Sequence, residues 1–229
     1  MKISKNRKNL IKDFDLSKIY EPQEAIKILK EKSFVKFNET VDVSINLGID
    51  TNKTDQNIKG VINLPKGSGK KIKIAVVCNE DKQNEAKESG ADLFGDITII
   101  DQISKGKIDF DLLIATPDMM PSLGKVAKIL GPKGLMPNPK LGTVTTDIAK
   151  SVKDAKSGQI KFKNDKAGIV HAGIGKLSFS EDDIMENLKM IYSSILKSKP
   201  DAVKGSFVKK VTIASTMGIG LQINQASLR

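Results

Sequence analysis

Residues 71–78, KIKIAVVC, compress an apolar run into a few positions behind a basic lead. A charged stretch from Asp81 to Ser89 follows, then DITII at 96–100, then FDLLIATP at 110–117, then a helical pattern running to Leu130. Short apolar runs separated by amphipathic helices predict a parallel sheet covered on both faces. The reading takes 71–78, 96–100 and 110–117 as strands and 81–89 as a helix. A loop, GPKGLMPNPKLG, occupies 131–142, and a helix is expected from Asp147 to Ala155.

On either side the pattern breaks. LPKGSGK at 64–70 and KSGQ at 156–159 are rich in Gly, Pro and Ser and read as linkers. Before the first, a basic arm precedes a helix near Pro22 to Lys32. Val41, Val43, Ile45 and Leu47 then alternate with polar residues, the period of a half-buried strand. A further strand runs from Ile58 to Leu64. Beyond the second linker, strands are expected at 160–162 and 169–179, a long helix from Glu181 to about Ser198, and one or two strands in FVKKVTIASTMGIGLQIN. The fold class is therefore α/β: a three-layer α/β middle piece, residues 67–159, lies between two outer pieces of α+β character, residues 1–66 and 160–229.

Of the 229 residues, 39% are apolar and 28% charged, and the formal charge is +11. No apolar run approaches the roughly 20 residues that cross a bilayer, and no signal-peptide pattern stands at the N-terminus. The expectation is a cytoplasmic protein with no membrane partner. One cysteine, Cys78, and one histidine, His171, exclude disulfide and multi-thiolate zinc scaffolds and leave little for catalysis. No enzyme activity, cofactor or metal is expected.

Charge is unevenly divided. Residues 1–66 hold 13 basic and 9 acidic groups, 67–159 hold 14 and 12, and 160–229 hold 11 and 6. If the two outer pieces fold together, they carry most of the excess charge, and a polyanion is expected there. Arg7 and Arg229 are the only arginines. Lysine suits phosphate, whereas bidentate reading of base edges is mostly arginine work, so recognition should follow backbone and shape. Eight of the ten Phe and Tyr residues also lie in the outer pieces, most of them expected in the core.

Several motifs have two readings. KGSGKK at 66–71 leads into a strand rather than a helix, which argues for a hinge over a Walker A phosphate loop. A nucleotide-binding α/β enzyme built on the middle domain is the rival function, but GxGxxG and Walker A are both missing. The Gly/Pro loop 131–144 is either a structured connection with two solvated lysines or a rigid contact loop for RNA or protein. Lys36 and Phe37, with Thr40, form either a grip on a nucleic-acid backbone and base or a solvated cation beside a core ring. NDKAG at 164–168 reads as a turn with Lys166 at its tip. His171 is a structural or hydrogen-bonding histidine. Thr216, Met217 and Gly218 are either a strand bulge with Met217 inward or a small, hydroxylated surface that ribose and phosphate can approach.

FNETVDVSINLGID, GPKGLMPNPKLGTVT, IKFKNDKAGIVHAGIGK and STMG stand in this order across the chain. Together they resemble the bacterial-type ribosomal protein L-one family, the protein of the large-subunit mobile stalk. The resemblance implies a discontinuous split βαβ-type RNA-binding domain with a Rossmann-like insert. It implies a monomer when free, ribosome-bound in the cytoplasm or in an organellar matrix. It further implies binding to large-subunit ribosomal RNA, contact with exit-site tRNA and other parts of the ribosome, help in releasing deacylated tRNA, and translational repression through its own messenger RNA. Matched by motif, the RNA-binding residues would be Lys36, Phe37, Thr40, Asp165, Lys166, His171, Thr216, Met217 and Gly218, with Thr216 and Gly218 as direct hydrogen-bonding positions. Many members follow TMG with Pro-Ser; this chain has Ile219 and Gly220.

Overall fold

The computed structural model describes residues 18–79, 82–201, 203 and 205–228. The basic N-terminal arm, with Phe14, lies outside the described residues. The chain divides into two compact units, residues 1–69 with 158–229, and residues 70–157.

In the first unit a five-stranded sheet has the order β1-β10-β9-β2-β8. Its strands are β1 (Ile19–Tyr20), β2 (Thr40–Leu47), β8 (Ile169–Lys176), β9 (Val208–Ser215) and β10 (Gly220–Ile223). The alternation in β2 works as expected: Val41, Val43, Ile45 and Leu47 are buried. With Val170, Ile174, Val211, Ile213, Leu221 and Ile223 they form one apolar face. Two helices share that core: α1 (Pro22–Glu31) through Ala25, Ile26 and Leu29, and α7 (Glu181–Lys197) through Ile184, Leu188, Ile191 and Ile195. Pro22 occupies the first turn of α1, where its missing N–H costs nothing. Ser180 caps α7 by accepting from the Asp183 N–H at 3.1 Å. A two-stranded ladder, β3 (Lys59–Asn63) with β7 (Gln159–Lys163), completes the unit. Asn187, 0% exposed on α7, accepts from the Lys66 N–H and donates to the carbonyls of Gly67 and Ile174.

The second unit holds a parallel sheet of order β5-β4-β6: β4 (Ile74–Val77), β5 (Leu93–Gly95) and β6 (Leu112–Ala115). β4 and β6 are buried along their length, and apolar clusters lie on both sheet faces. The charged segment after β4 is helical over α2 (Gln83–Glu88). DITII is not a strand. It opens α3 (Ile97–Ser104), and the second strand is Leu93–Gly95. Ile99, Ile100 and Ile103 are buried together at helical spacing while Ile97 faces solvent, so packing overrides the β-propensity of the isoleucine run. The helix expected to reach Leu130 is broken near Gly124 into α4 (Met120–Gly124) and α5 (Ala127–Leu130). α6 (Ile148–Lys156) starts where expected, with Asp147 accepting from the Lys150 N–H. No helix among the described residues is long and apolar enough to cross a membrane.

Candidate nucleic-acid interface

The face of the five-stranded sheet opposite α1 and α7 carries small and polar side chains. β2 presents Thr40, Asp42, Ser44 and Asn46; β8 presents His171 and Gly173; β9 presents Thr212 and Ala214. These follow from period-two alternation, since the intervening residues fill the core. Register sets Ser44 between His171 and Thr212, and Asp42 between Gly173 and Ala214.

At the Thr40 end, segments from both halves of the sequence meet. The Thr216 N–H donates to the Thr40 carbonyl at 3.1 Å. The Thr40 N–H donates to Thr216 Oγ1 at 3.1 Å, and that hydroxyl donates back to the Thr40 carbonyl at 3.3 Å. Gly218 N–H closes a turn onto the Ser215 carbonyl at 3.2 Å, which leaves Thr216 and Met217 at its tip. A Cβ on Gly218 would fall 2.3 Å from Ser215 Oγ, so any side chain there would have to turn that hydroxyl aside. Met217 is 54% exposed, which removes the reading of an inward-packed bulge. Ile219 is buried and Gly220 begins β10 opposite Ala214, so the departure from Pro-Ser leads straight into a strand.

Beside this turn lies a concavity of about 480 Å³ lined by Lys30, Ser33, Lys36, Phe37, Asn38 and Ser178, among others. Phe37 is 54% exposed and Lys36 is exposed, so the ring is not a core residue. Phe34 is exposed too, whereas Tyr20, Phe162, Tyr192 and Phe207 are buried as expected of core aromatics.

Two residues not singled out by sequence hold the cluster. Glu39 is 1% exposed; its carboxylate accepts from Ser33 Oγ at 2.8 Å and from the Met217 N–H at 2.7 Å. Lys176 Nζ donates to Thr40 Oγ1 at 2.7 Å. Neither carries a local signal. Glu39 looks like an ordinary surface acid in FNETV, and the Lys176–Thr40 pairing exists only through strand register.

Asp165, Lys166 and His171 sit further along the same β2–β8 ladder. Ser44, opposite His171, is four residues from Thr40, about 13 Å at 3.3 Å per residue. Asp165 and Lys166 belong to the turn beyond, closed by Gly168 N–H on the Asp165 carbonyl. Asp165 Oδ1 accepts from the N–H groups of Ile169 and Ala167 at 2.8 and 2.9 Å, and Oδ2 lies 3.4 Å from His171 Nε2. The Ile169 N–H foremost, with Ala167 and His171, holds the Asp165 carboxyl below its ordinary range. His171 Nδ1 lies 3.1 Å from Ser44 Oγ, so the imidazole bridges two side chains on an open surface. Lys166 is exposed, and its carbonyl accepts from Thr51 Oγ1. On the ladder between these groups, desolvation raises the pKa of Asp42 against the opposing pull of Lys176 and His171. Among the described residues no group of three or more His, Cys, Asp or Glu side chains could hold a metal ion.

The surface thus offers ammonium groups, hydroxyls, an exposed ring and a glycine-closed turn, an inventory suited to sugar, phosphate and a stacked base. Comparison with known proteins points the same way. The profile of the Ribosomal protein L1p/L10e family matches residues 29–219. The large ribosomal subunit protein uL1 of Rickettsia bellii (strain OSU 85-389) is 53% identical over 210 residues, covering 92% of this chain and 88% of that protein. The same-named protein of Rickettsia peacockii (strain Rustic) is 52% identical, and that of Rickettsia akari (strain Hartford) 51% identical, over the same shares of each chain.

Proposed function

The chain belongs to the ribosomal protein L1p/L10e family, and from that premise we propose that it binds large-subunit ribosomal RNA directly through the Thr40–Thr216 end of its five-stranded sheet. It is a protein of the large ribosomal subunit with a structural role there. The finer reading adds three duties: forming the mobile stalk, assisting release of deacylated tRNA from the exit site, and repressing translation of its own messenger RNA. In this reading residues 1–66 with 160–229 are the RNA-binding domain and residues 67–159 a Rossmann-like insert.

The observation that carries the proposal is the Thr216 hydroxyl. A hydroxyl has one proton and two acceptor sites. Thr216 gives its proton to the Thr40 carbonyl and uses one acceptor site on the Thr40 N–H. What remains faces outward as a single acceptor, which a ribose 2′-hydroxyl can satisfy and a deoxyribose cannot. Thr40 is complementary. Its Oγ1 accepts from Lys176, so its proton is free to donate to a phosphate oxygen beside that ammonium.

Titration with a large-subunit ribosomal RNA fragment tests this. Thr216→Val should weaken binding by about 1–3 kcal/mol, the cost of leaving polar groups unpaired, while Thr216→Ser should retain most of it. Wild-type affinity in Thr216→Val, or equal affinity for the DNA version of the fragment, would overturn the proposal.

A further inference from the structure

Between Asp118 and Asp147 the chain carries Lys125, Lys128, Lys133 and Lys140 and no Asp or Glu. The rest of the 70–157 unit has ten lysines against twelve carboxylates, so its near-balanced total conceals a segregated basic stretch. Lys125, Lys128 and Lys133 are exposed, and none has an ionic or hydrogen-bonding partner for its ammonium among the described residues. Three other lysines of the unit are engaged: Lys70 pairs with Asp111 at 3.7 Å, Lys82 donates to the Thr146 carbonyl at 3.0 Å, and Lys156 donates to the Gly90 carbonyl.

The backbone beneath the three is fixed. Leu123, Val126 and Leu130 are buried in the unit's core, which turns Lys125 and Lys128, three positions apart, outward. The Gly134 N–H bonds the Gly131 carbonyl at 3.0 Å and the Leu135 N–H bonds the Leu130 carbonyl at 3.1 Å. Pro132 and Lys133 are therefore the central pair of a tight turn, and Gly134 leaves it at φ 69°. Downstream, the buried Thr143 hydroxyl accepts from the Asn138 N–H at 2.8 Å, securing the rest of the Gly/Pro loop.

We propose that this lysine face of the insert binds an RNA phosphate backbone as a second contact, separate from the sheet site; it rests on the reading of the chain as an RNA binder. Phosphate is favoured over bases because lysine is a point-charge donor and no arginine lies in the unit. RNA is favoured over an acidic protein because no large apolar side chain is exposed between residues 119 and 146. Protein interfaces need such anchors, and a phosphate track does not.

The test uses the full chain with Lys125, Lys128 and Lys133 all changed to Gln, a control with Lys87, Lys105 and Lys107 changed to Gln, and Thr216→Val. Each is titrated over a range of salt with the ribosomal RNA fragment and, separately, with unfractionated deacylated tRNA. In at least one arm the first variant should reduce the slope of log K against log salt by about two to three, near one per lost lysine–phosphate contact. The control should barely move it. The arm that responds identifies whether the RNA is the one held by the sheet or a second molecule. Unchanged slopes in both arms, or an equal loss in the control, overturn the inference. So does loss of polyglutamate binding with RNA binding intact, which would assign the face to an acidic protein. If Thr216→Val also binds like the parent, the failure belongs to the sheet reading instead.

Discussion

Glu39 ties three stretches of chain to one another: its carboxylate reaches Ser33 and the Met217 N–H, and its own carbonyl accepts from the Leu177 N–H. Removing the carboxylate takes the partner from the Ser33 hydroxyl and the Met217 N–H, while the Leu177 bond, made to backbone, stays. Glu39→Ala should cost about 1–3 kcal/mol of stability and weaken RNA binding by loosening the Met217 turn. Glu39→Gln retains an acceptor for Met217 and should lie close to wild type in both; equal losses in the two variants would refute this role. Asp165 gives a pH prediction. Its folded pKa lies below the unfolded one, so its stabilisation is complete above the unfolded value, about 3.9, and is lost as pH falls through the lower folded value. Amide shifts of Ala167 and Ile169 followed by NMR should move together with a midpoint below that figure, and Asp165→Asn should abolish the transition. Of the nine residues named from sequence, the structure gathers Lys36, Phe37, Thr40, Thr216, Met217 and Gly218 at one end of the sheet. Glu39 and Lys176 escaped because their roles depend on partners more than 130 residues away.

At the scale of elements, alternation in β2 was legible because one face is buried and the other open, which stamps a two-residue period on the sequence. The isoleucines of α3 were not. Five residues of DITII contain too little of a helical turn to separate the two periods, and only the extension to Ile103 reveals the buried stripe. Asn187 shows a different blind spot, since a polar residue in the apolar stripe of α7 reads as a flaw until its partners are known. It holds Lys66 and Gly67, the segment leading to the insert, against α7 and β8. Asn187→Leu takes the side-chain partner from the part-buried Lys66 N–H and Gly67 carbonyl and from the buried Ile174 carbonyl. It should destabilise the protein by about 2–4 kcal/mol in urea unfolding, and a neutral result would mean that these groups find other partners.

For the whole molecule, the excess of lysine in the outer pieces is the reason to expect a polyanion there, and the Gly-rich stretches 64–70 and 156–159 contain the two edges of the 70–157 unit. What composition hid was the segregation of lysines inside the insert, because a net charge averages over position. The first unit is closed where the insert departs: a Cβ on Gly158 would lie 2.4 Å from the Gly67 Cα, and the Leu64 N–H reaches the Gly158 carbonyl. Replacing 70–157 with a short glycine linker should therefore yield a cooperatively folding protein that keeps Thr216-dependent RNA binding, measurable by circular dichroism melting and RNA titration. A molten product would show that the insert is needed for folding. The pairing of Thr40 with Thr216 has a consequence for synthesis. β2 cannot gain its β9 neighbour, nor Thr40 its hydroxyl partner, until a segment 176 residues later has been translated and has cleared the exit tunnel. The sheet end proposed to meet RNA is therefore assembled only after β9 and the Thr216 turn emerge, late in translation.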